Sequence, residues 1–547
     1  MNRRLPNRRI RLLLVLFTLA FAGLFGRAVW LQGVHARGLD RIAQGQHHAT
    51  VALPAPRGAM VDRNGVQLAI GRRATTVYAN PKHIANPQAA AIAAGKALRL
   101  DPDKLYGSLA DQSRGFVYVA RKADAKRADA LQRKGIQGLG FYSEERRVYP
   151  QGSVGAHVLG YAGVDNKGLS GLELALDGTL AGRPGRETVV RDPFGRALDV
   201  LHATPAVEGR NVRLTLDATL QANAESILRS TVRRWGALAA TAVVLDPHSG
   251  EVLALAVEPG FDANRFPQTS REVQRNRAVT DTYEPGSTLK VVTVAGALSE
   301  GLVSPTTQFT LAPKIQVADR VIHEAHRTGT EQMTVASILA QSSNIGTITL
   351  AQLLGRERLT KWLGRFGFGK KTGIDFPGET QGILPGYWSG STIGTLPIGH
   401  GIAVTPVQMA TAYAAVANGG VWKQPHLVLS SRVKQRRVIS RAVSEQLMAM
   451  MRDVVLEGTG TEAAVEGYQV AGKTGTAAKP DPRGGYSTSR YVASFVGAVP
   501  ASDPRLVILV TVDEPSTIWG GTVAAPAFQQ IARFALQYLE IPPDAAS

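Results

Sequence analysis

Ser287 and Lys290 stand three residues apart, just after a Pro285-Gly286 turn and at the head of an apolar run, 291–298. On a helix, residues i and i+3 share a face, so the serine hydroxyl and the lysine amine would sit side by side. A serine hydroxyl is a weak nucleophile until a neighbouring base takes its proton. Lysine serves as that base only when neutral, so burial and nearby positive charge must lower its pKa from about 10.4. Alone, Ser-x-x-Lys is a weak signal. A second group, Gln341-Ser342-Ser343-Asn344, breaks two apolar helical stretches, 334–340 and 345–354. Such a break presents short polar side chains to a cleft, although Ser and Asn also favour helix starts. A third, Gly472-Lys473-Thr474-Gly475-Thr476, follows a strand-like run that begins at Tyr468. Gly475 would let another backbone approach closely. Lys371-Thr372-Gly373 repeats the last tripeptide, but Gly367, Gly369, Pro377 and Gly378 around it mark a loop. Lys473 is therefore the candidate site lysine.

The elements that would position these groups are legible in part. Residues 239–246 and 251–257 alternate around Pro247-His248-Ser249-Gly250, a hairpin signature. Residues 468–476, 491–499 and 505–513 read as three more strands, with links short enough for antiparallel pairing. Helices are expected near 218–234 and 525–539, the latter with Phe528, Ile531, Ala535 and Tyr538 at helical spacing. The expected fold is α+β, with a five-stranded antiparallel sheet flanked by helices. Residues 32–210 are rich in Gly, Arg and Asp and contain no clustered catalytic set. Within them, 85–98 and 122–134 look helical. This segment reads as a pedestal, and 211–547 as the catalytic domain.

In order along the chain, Ser-x-x-Lys, Ser-x-Asn and Lys-Thr-Gly form the triplet of penicillin-binding proteins and class A β-lactamases. The chain resembles the class B penicillin-binding proteins over nearly its whole length. In the front half the resemblance rests on Arg57-Gly58-Ala59-Met60-Val61-Asp62-Arg63-Asn64-Gly65, Tyr149-Pro150-Gln151-Gly152, Ala156-His157-Val158-Leu159-Gly160 and Gly171-Leu172-Glu173. In the back half it rests on Leu245-Asp246-Pro247, Gly250-Glu251-Val252-Leu253-Ala254, Asn276-Arg277-Ala278, Val404-Thr405-Pro406-Val407-Gln408 and Gly520-Gly521. The Ser-Ser-Asn form resembles the septal branch, since the elongation branch usually has an aspartate in the middle. Glu324 stands where the family has an aspartate and Trp519 where it has a tyrosine, and the stretch 515–520 is short.

The resemblance implies acyl transfer at a D-alanyl-D-alanine peptide, with β-lactams acylating the same serine. Ser287 is then the nucleophile and Lys290 its base. Ser342 relays a proton, and Asn344 bonds both Lys290 and the substrate amide. Lys473 adds positive charge beside Lys290. Thr474 and Thr476, with Gly475 between them, take the substrate carboxylate. The backbone N–H groups of Ser287 and Thr476 form the oxyanion hole. No cofactor or metal is needed. The implied partners are peptidoglycan stem peptides, an FtsW-type glycan polymerase and other division proteins. A β-lactamase shares the triplet, but an anchor and a pedestal argue against one, as does the lack of an evident deacylation base. A non-catalytic division scaffold or a β-lactam sensor is the remaining alternative.

The chain has 547 residues, too many for one ordinary core. It has no cysteine, which excludes thiol catalysis and disulfides. Its net charge is +19, but no nucleic-acid motif accompanies that charge. Residues 12–31 are apolar apart from Arg27 and match the 20 or so that a bilayer needs. Arginines precede them and acidic residues do not, so a single-pass inner-membrane anchor is expected, with 1–11 cytoplasmic and the remainder outside. The alternative is a cleaved signal peptide, since Ala20-Phe21-Ala22 resembles a cleavage site.

Overall fold

The computed structural model describes residues 7–34, 48–191, 197–325 and 329–544. Residues 1–6 of the expected tail thus lie outside the described residues. Helix α1 (Asn7–Val29) carries the N-terminal apolar run. The stretch Arg8–Gly33 contains an 18-residue window with a mean hydropathy of 2.2 and is long and apolar enough to cross a membrane. The chain divides into two compact units. One comprises residues 1–56 and 182–209, and the other 57–181 and 210–547. In the first, His48–Leu53, Gly185–Arg191 and Ala197–Thr204 form a three-stranded antiparallel sheet.

The second unit holds the candidate residues. Its front segment is built on the long strand Gln67–Ala79, paired with Val117–Asp124 on one side and Leu139–Val148 on the other. Helices Pro87–Leu98 and Ala125–Gln132 are close to the expected 85–98 and 122–134, and their apolar faces join one core with Val77, Val117 and Val119. The Arg57–Gly65 motif explains itself here. The Arg57 guanidinium donates to Glu173 at 2.7 Å and to Asp177 at 2.7 Å, and Arg147 Nε donates to the other Glu173 oxygen at 2.6 Å. Arg57 and Glu173 are buried, so these charges satisfy one another away from water. Asp62 accepts from the backbone of Asn64 and Val66 and, with its other oxygen, from Ala218 N at 3.0 Å.

Ala218 begins helix α2 (Ala218–Trp235), which leads into the large sheet. Its strands are β1 (Ala239–Leu245), β2 (Val252–Glu258), β3 (Ala471–Pro480), β4 (Tyr486–Val499) and β5 (Leu506–Asp513). The spatial order is β2-β1-β5-β4-β3, antiparallel throughout, as expected. β3 starts three residues later than the sequence suggests. The Tyr468 hydroxyl donates to Ile541 O and tethers that segment to the C-terminus instead. Alternate strand residues serve two helical layers. Ala240, Ala242, Val244, Ile508 and Val510 pack against α2 and the terminal helix α8 (Gly520–Tyr538). Val243, Leu245, Val507 and Leu509 face the opposite core. That core contains α3 (Lys290–Ser299), α4 (Val335–Ala340), α5 (Asn344–Phe366), α6 (Pro406–Ala417) and α7 (Arg441–Leu456). Every residue of α6 is buried, in keeping with its lack of a polar face. The apolar run 345–354 continues as α5 to Phe366, interrupted at Gly355, whose φ of +74° ends one helix and starts the next.

Candidate active site

The three motifs converge from three elements. Ser287 lies in a 3₁₀ turn, Gly286–Leu289, that runs straight into α3 at Lys290. The turn is tighter than the helix expected there, because Gly286 takes a φ of +55° and packs against neighbouring backbone. A Cβ on Gly286 would lie 2.5 Å from the Thr476 carbonyl, and one on Gly399 would lie 2.1 Å from that of Gly286. The serine turn is thus wedged between β3 and the 399 loop. Gly475 has the close-approach role expected of it, since its Cβ would meet the Pro285 carbonyl at 2.8 Å. Ser287 itself is half-buried.

Lys290 is fully buried, and its Nζ donates to Ser342 O at 2.5 Å and to Asn344 Oδ1 at 2.7 Å. Ser342 Oγ lies 3.2 Å from the same nitrogen. Burial lowers the Lys290 pKa from 10.5 to about 7, against an opposing pull from the Glu324 carboxylate. Lys473, on β3, is equally buried. Its pKa also falls, first through burial and then through repulsion from Lys290. Burial therefore does most of what the sequence assigns to the Lys473 charge. Among the described residues Lys473 Nζ has only long contacts to the Thr474 carbonyl and hydroxyl, 3.4 Å each, which leaves its N–H groups available to an incoming carboxylate. The Thr474 hydroxyl meets that of Thr459 at 2.6 Å. The Thr476 hydroxyl lies between Ile518 O at 3.1 Å and Gly520 N at 3.2 Å. Among the described residues β3 is an edge strand of this sheet, and one side of its backbone has no strand partner there.

The second motif is strained. Ser342 has a φ of +59°, rare for a residue with a side chain. Ser343 caps α5 by accepting from Gly346 N at 2.9 Å. The Asn344 amide is fixed at both ends, since its Nδ2 donates to His323 O at 3.1 Å. The second Lys-Thr-Gly copy is a loop, as its glycines indicate. Thr372 N and Gly373 N donate to the Glu379 carboxylate at 2.6 and 3.0 Å, and Lys371 is exposed.

Sequence reasoning missed two supports. Glu284 accepts from Tyr486 OH at 3.0 Å and Gly401 N at 2.9 Å and lies 2.8 Å from His400 Nδ1, so it pins the segment leading to Ser287. Its place beside the turn was the available signal. Glu324, noted in the sequence only as replacing the family's aspartate, braces the second motif from a separate ribbon. A cavity of about 660 Å³ beside Tyr283, Glu284 and Lys479 includes none of Ser287, Lys290 or Lys473 in its lining. Among the described residues no cluster is fit to hold a metal.

The penicillin binding protein transpeptidase domain profile matches residues 240–533, and the penicillin-binding protein dimerisation domain profile matches 52–214. The first of these spans more than half the chain. This chain is a class B penicillin-binding protein. The peptidoglycan D,D-transpeptidase FtsI of Escherichia coli K12 is 33% identical over 98% of this chain and 93% of its own length. Stage V sporulation protein D of Bacillus subtilis is 34% identical over 98% of this chain and 86% of its own. The crystal structure of penicillin binding protein 3 from Mycobacterium tuberculosis superposes with a TM-score of 0.72 at 31% identity, covering 90% of this chain and 98% of that one. The class B protein is accordingly a peptidoglycan D,D-transpeptidase, with a pedestal of the dimerisation-domain type and an antiparallel transpeptidase sheet.

Proposed function

We propose that Ser287 is the acylated nucleophile of this transpeptidase and that the enzyme works in septal wall synthesis. The observation that carries the first part is the buried Lys290 amine with its two short hydrogen bonds. A neutral amine has two N–H groups and one lone pair. Ser342 O and Asn344 Oδ1 take the N–H groups and leave the lone pair to accept the Ser287 proton. Ser287 Oγ then bonds to the carbonyl carbon of the penultimate D-alanine. The peptide C–N bond breaks, and the proton passes through Ser342 to the departing D-alanine amine. An amine of a second stem peptide attacks the resulting ester, forms the crosslink and returns the proton to Ser287. The Ser287 and Thr476 backbone N–H groups would stabilise the oxyanion. Lys473, Thr474 and Thr476 would receive the substrate's terminal carboxylate.

The septal assignment is supported by the Ser342-Ser343-Asn344 form of the motif and by the FtsI relatives. An FtsW-type polymerase would supply the glycan strands. We propose further that residues 12–31 anchor the chain in the inner membrane, with 1–11 cytoplasmic, and that 32–210 act as pedestal to the transpeptidase domain 211–547. Mass spectrometry after benzylpenicillin treatment tests the nucleophile. One adduct is expected, on the peptide holding Ser287 and absent in Ser287→Ala; label on another serine sinks the assignment. Depletion in cells tests the septal part, where filaments are expected and rounded cells would favour elongation.

A further inference from the structure

Glu324 follows a two-stranded ribbon, Lys314–Val317 with Arg320–His323, and reaches the start of α5. One carboxylate oxygen accepts from Ser343 Oγ at 2.5 Å and Ile345 N at 3.0 Å, and the other accepts from Asn344 N at 3.0 Å. Two of these donors are first-turn N–H groups of a long helix, which have no partner inside the helix and favour negative charge. The preceding residue, Ser342, holds a costly left-handed conformation, and such a conformation persists only where its surroundings enforce it. The same ribbon fixes the Asn344 side chain through His323 O, at 3.1 Å. The segment that touches Lys290 is therefore held from outside by four hydrogen bonds to residues 323 and 324.

We propose that Glu324 is a positioning residue for this reaction, whose carboxylate locks the Ser342–Asn344 turn against Lys290 and places a negative charge beside that corner. This rests on the reading of Lys290 as the base. Among the described residues Glu324, from the ribbon, opposes the burial that lowers the Lys290 pKa. Lys473, from β3, faces the same corner with its own pKa lowered by burial and then by Lys290. Glu324 thus raises the pH at which the enzyme switches on.

The test is the pH profile of acylation by a fluorescent penicillin in the full-length protein, with thermal unfolding as a check on the fold. Glu324→Gln keeps the size and removes the charge. Its acidic limb should move toward acid by about half a pH unit or more, since an opposite charge nearby favours the charged lysine. Glu324→Asp keeps the charge and loses reach. Its limb should stay in place while its rate falls about tenfold, the cost of slackening a catalytic contact. A limb that stays in place in Glu324→Gln, or moves as far in Glu324→Asp, overturns the proposal. Should Glu324→Gln fail to fold, Glu324→Asp decides alone, and a parent-like rate there overturns it. Acylation that survives in Ser287→Ala would sink the nucleophile assignment instead, whatever Glu324 does.

Discussion

Acylation of Ser287 should follow the deprotonation of one buried lysine, and its size is calculable. Burial takes Lys290 from 10.5 to about 7. That difference corresponds to about 5 kcal/mol between the two protonation states. An unshifted lysine would be neutral in only about one molecule in three thousand at pH 7. Here about half the molecules carry a free lone pair at that pH. The second-order rate of benzylpenicillin acylation should rise tenfold per pH unit below the limb and level off above about pH 8. The measurement is stopped-flow or quenched acylation between pH 5 and 9, where benzylpenicillin itself has no titrating group. A profile still climbing at pH 9 would mean that the lysine is not desolvated as described. A flat profile would mean that it is not the base. The same shift acts on stability. The folded pKa lies below the unfolded one, so the unfolded chain binds more protons between pH 7 and 10.5. The contribution of this group to stability therefore rises with pH across that window.

Three further outcomes are expected. Lys473→Ala should slow acylation about a hundredfold, as loss of one site donor does, while exposed Lys371→Ala leaves it unchanged; the reverse ranking would exchange the two loops. In Gly475→Ala the new Cβ would lie 2.8 Å from Pro285 O and 2.4 Å from Ser494 Oγ, so the serine turn must shift. Acylation should drop at least tenfold with little change in secondary structure by circular dichroism, because near-attack geometry tolerates little displacement. Glu173→Ala leaves the buried Arg57 and Arg147 guanidiniums without their shared carboxylate and should cost about 3–5 kcal/mol in denaturant unfolding, and a loss below 1 kcal/mol would contradict the pairing described.

The reaction centre was more legible in the sequence than its supports. Ser287, Lys290, Ser342, Asn344 and Lys473 each sit in a short motif, and the structure brings Lys290, Ser342 and Asn344 within hydrogen-bond reach. The five strands were readable because each is a short apolar run between turn residues. Their ends were not. β4 begins at Tyr486, five residues before the expected start, where Ser, Thr and Arg give no apolar signal and pairing with β3 alone defines the strand. The bracing roles of Glu284 and Glu324 were not legible, although Glu324 stood out as a departure from the family's aspartate, because their partners lie in other segments, Gly401 and Tyr486 for one and the start of α5 for the other. Of the two causes expected for the lysine shift, burial is the larger, and its depth is a tertiary quantity that the sequence does not show.

The sheet order has a consequence for how this enzyme comes into being. β5, the last strand made, is inserted between β1, the first, and β4. A chain emerging from the ribosome can form the β1–β2 hairpin early, but it has nothing to join that hairpin to β3 until residue 513 is available. Contacts across so long a separation form slowly. Lys473 on β3 consequently lacks a completed scaffold until β5 has been made. Premature termination before β5 should yield an inert fragment, never a partly active crosslinker, and the wall is spared a damaged enzyme that acts out of turn.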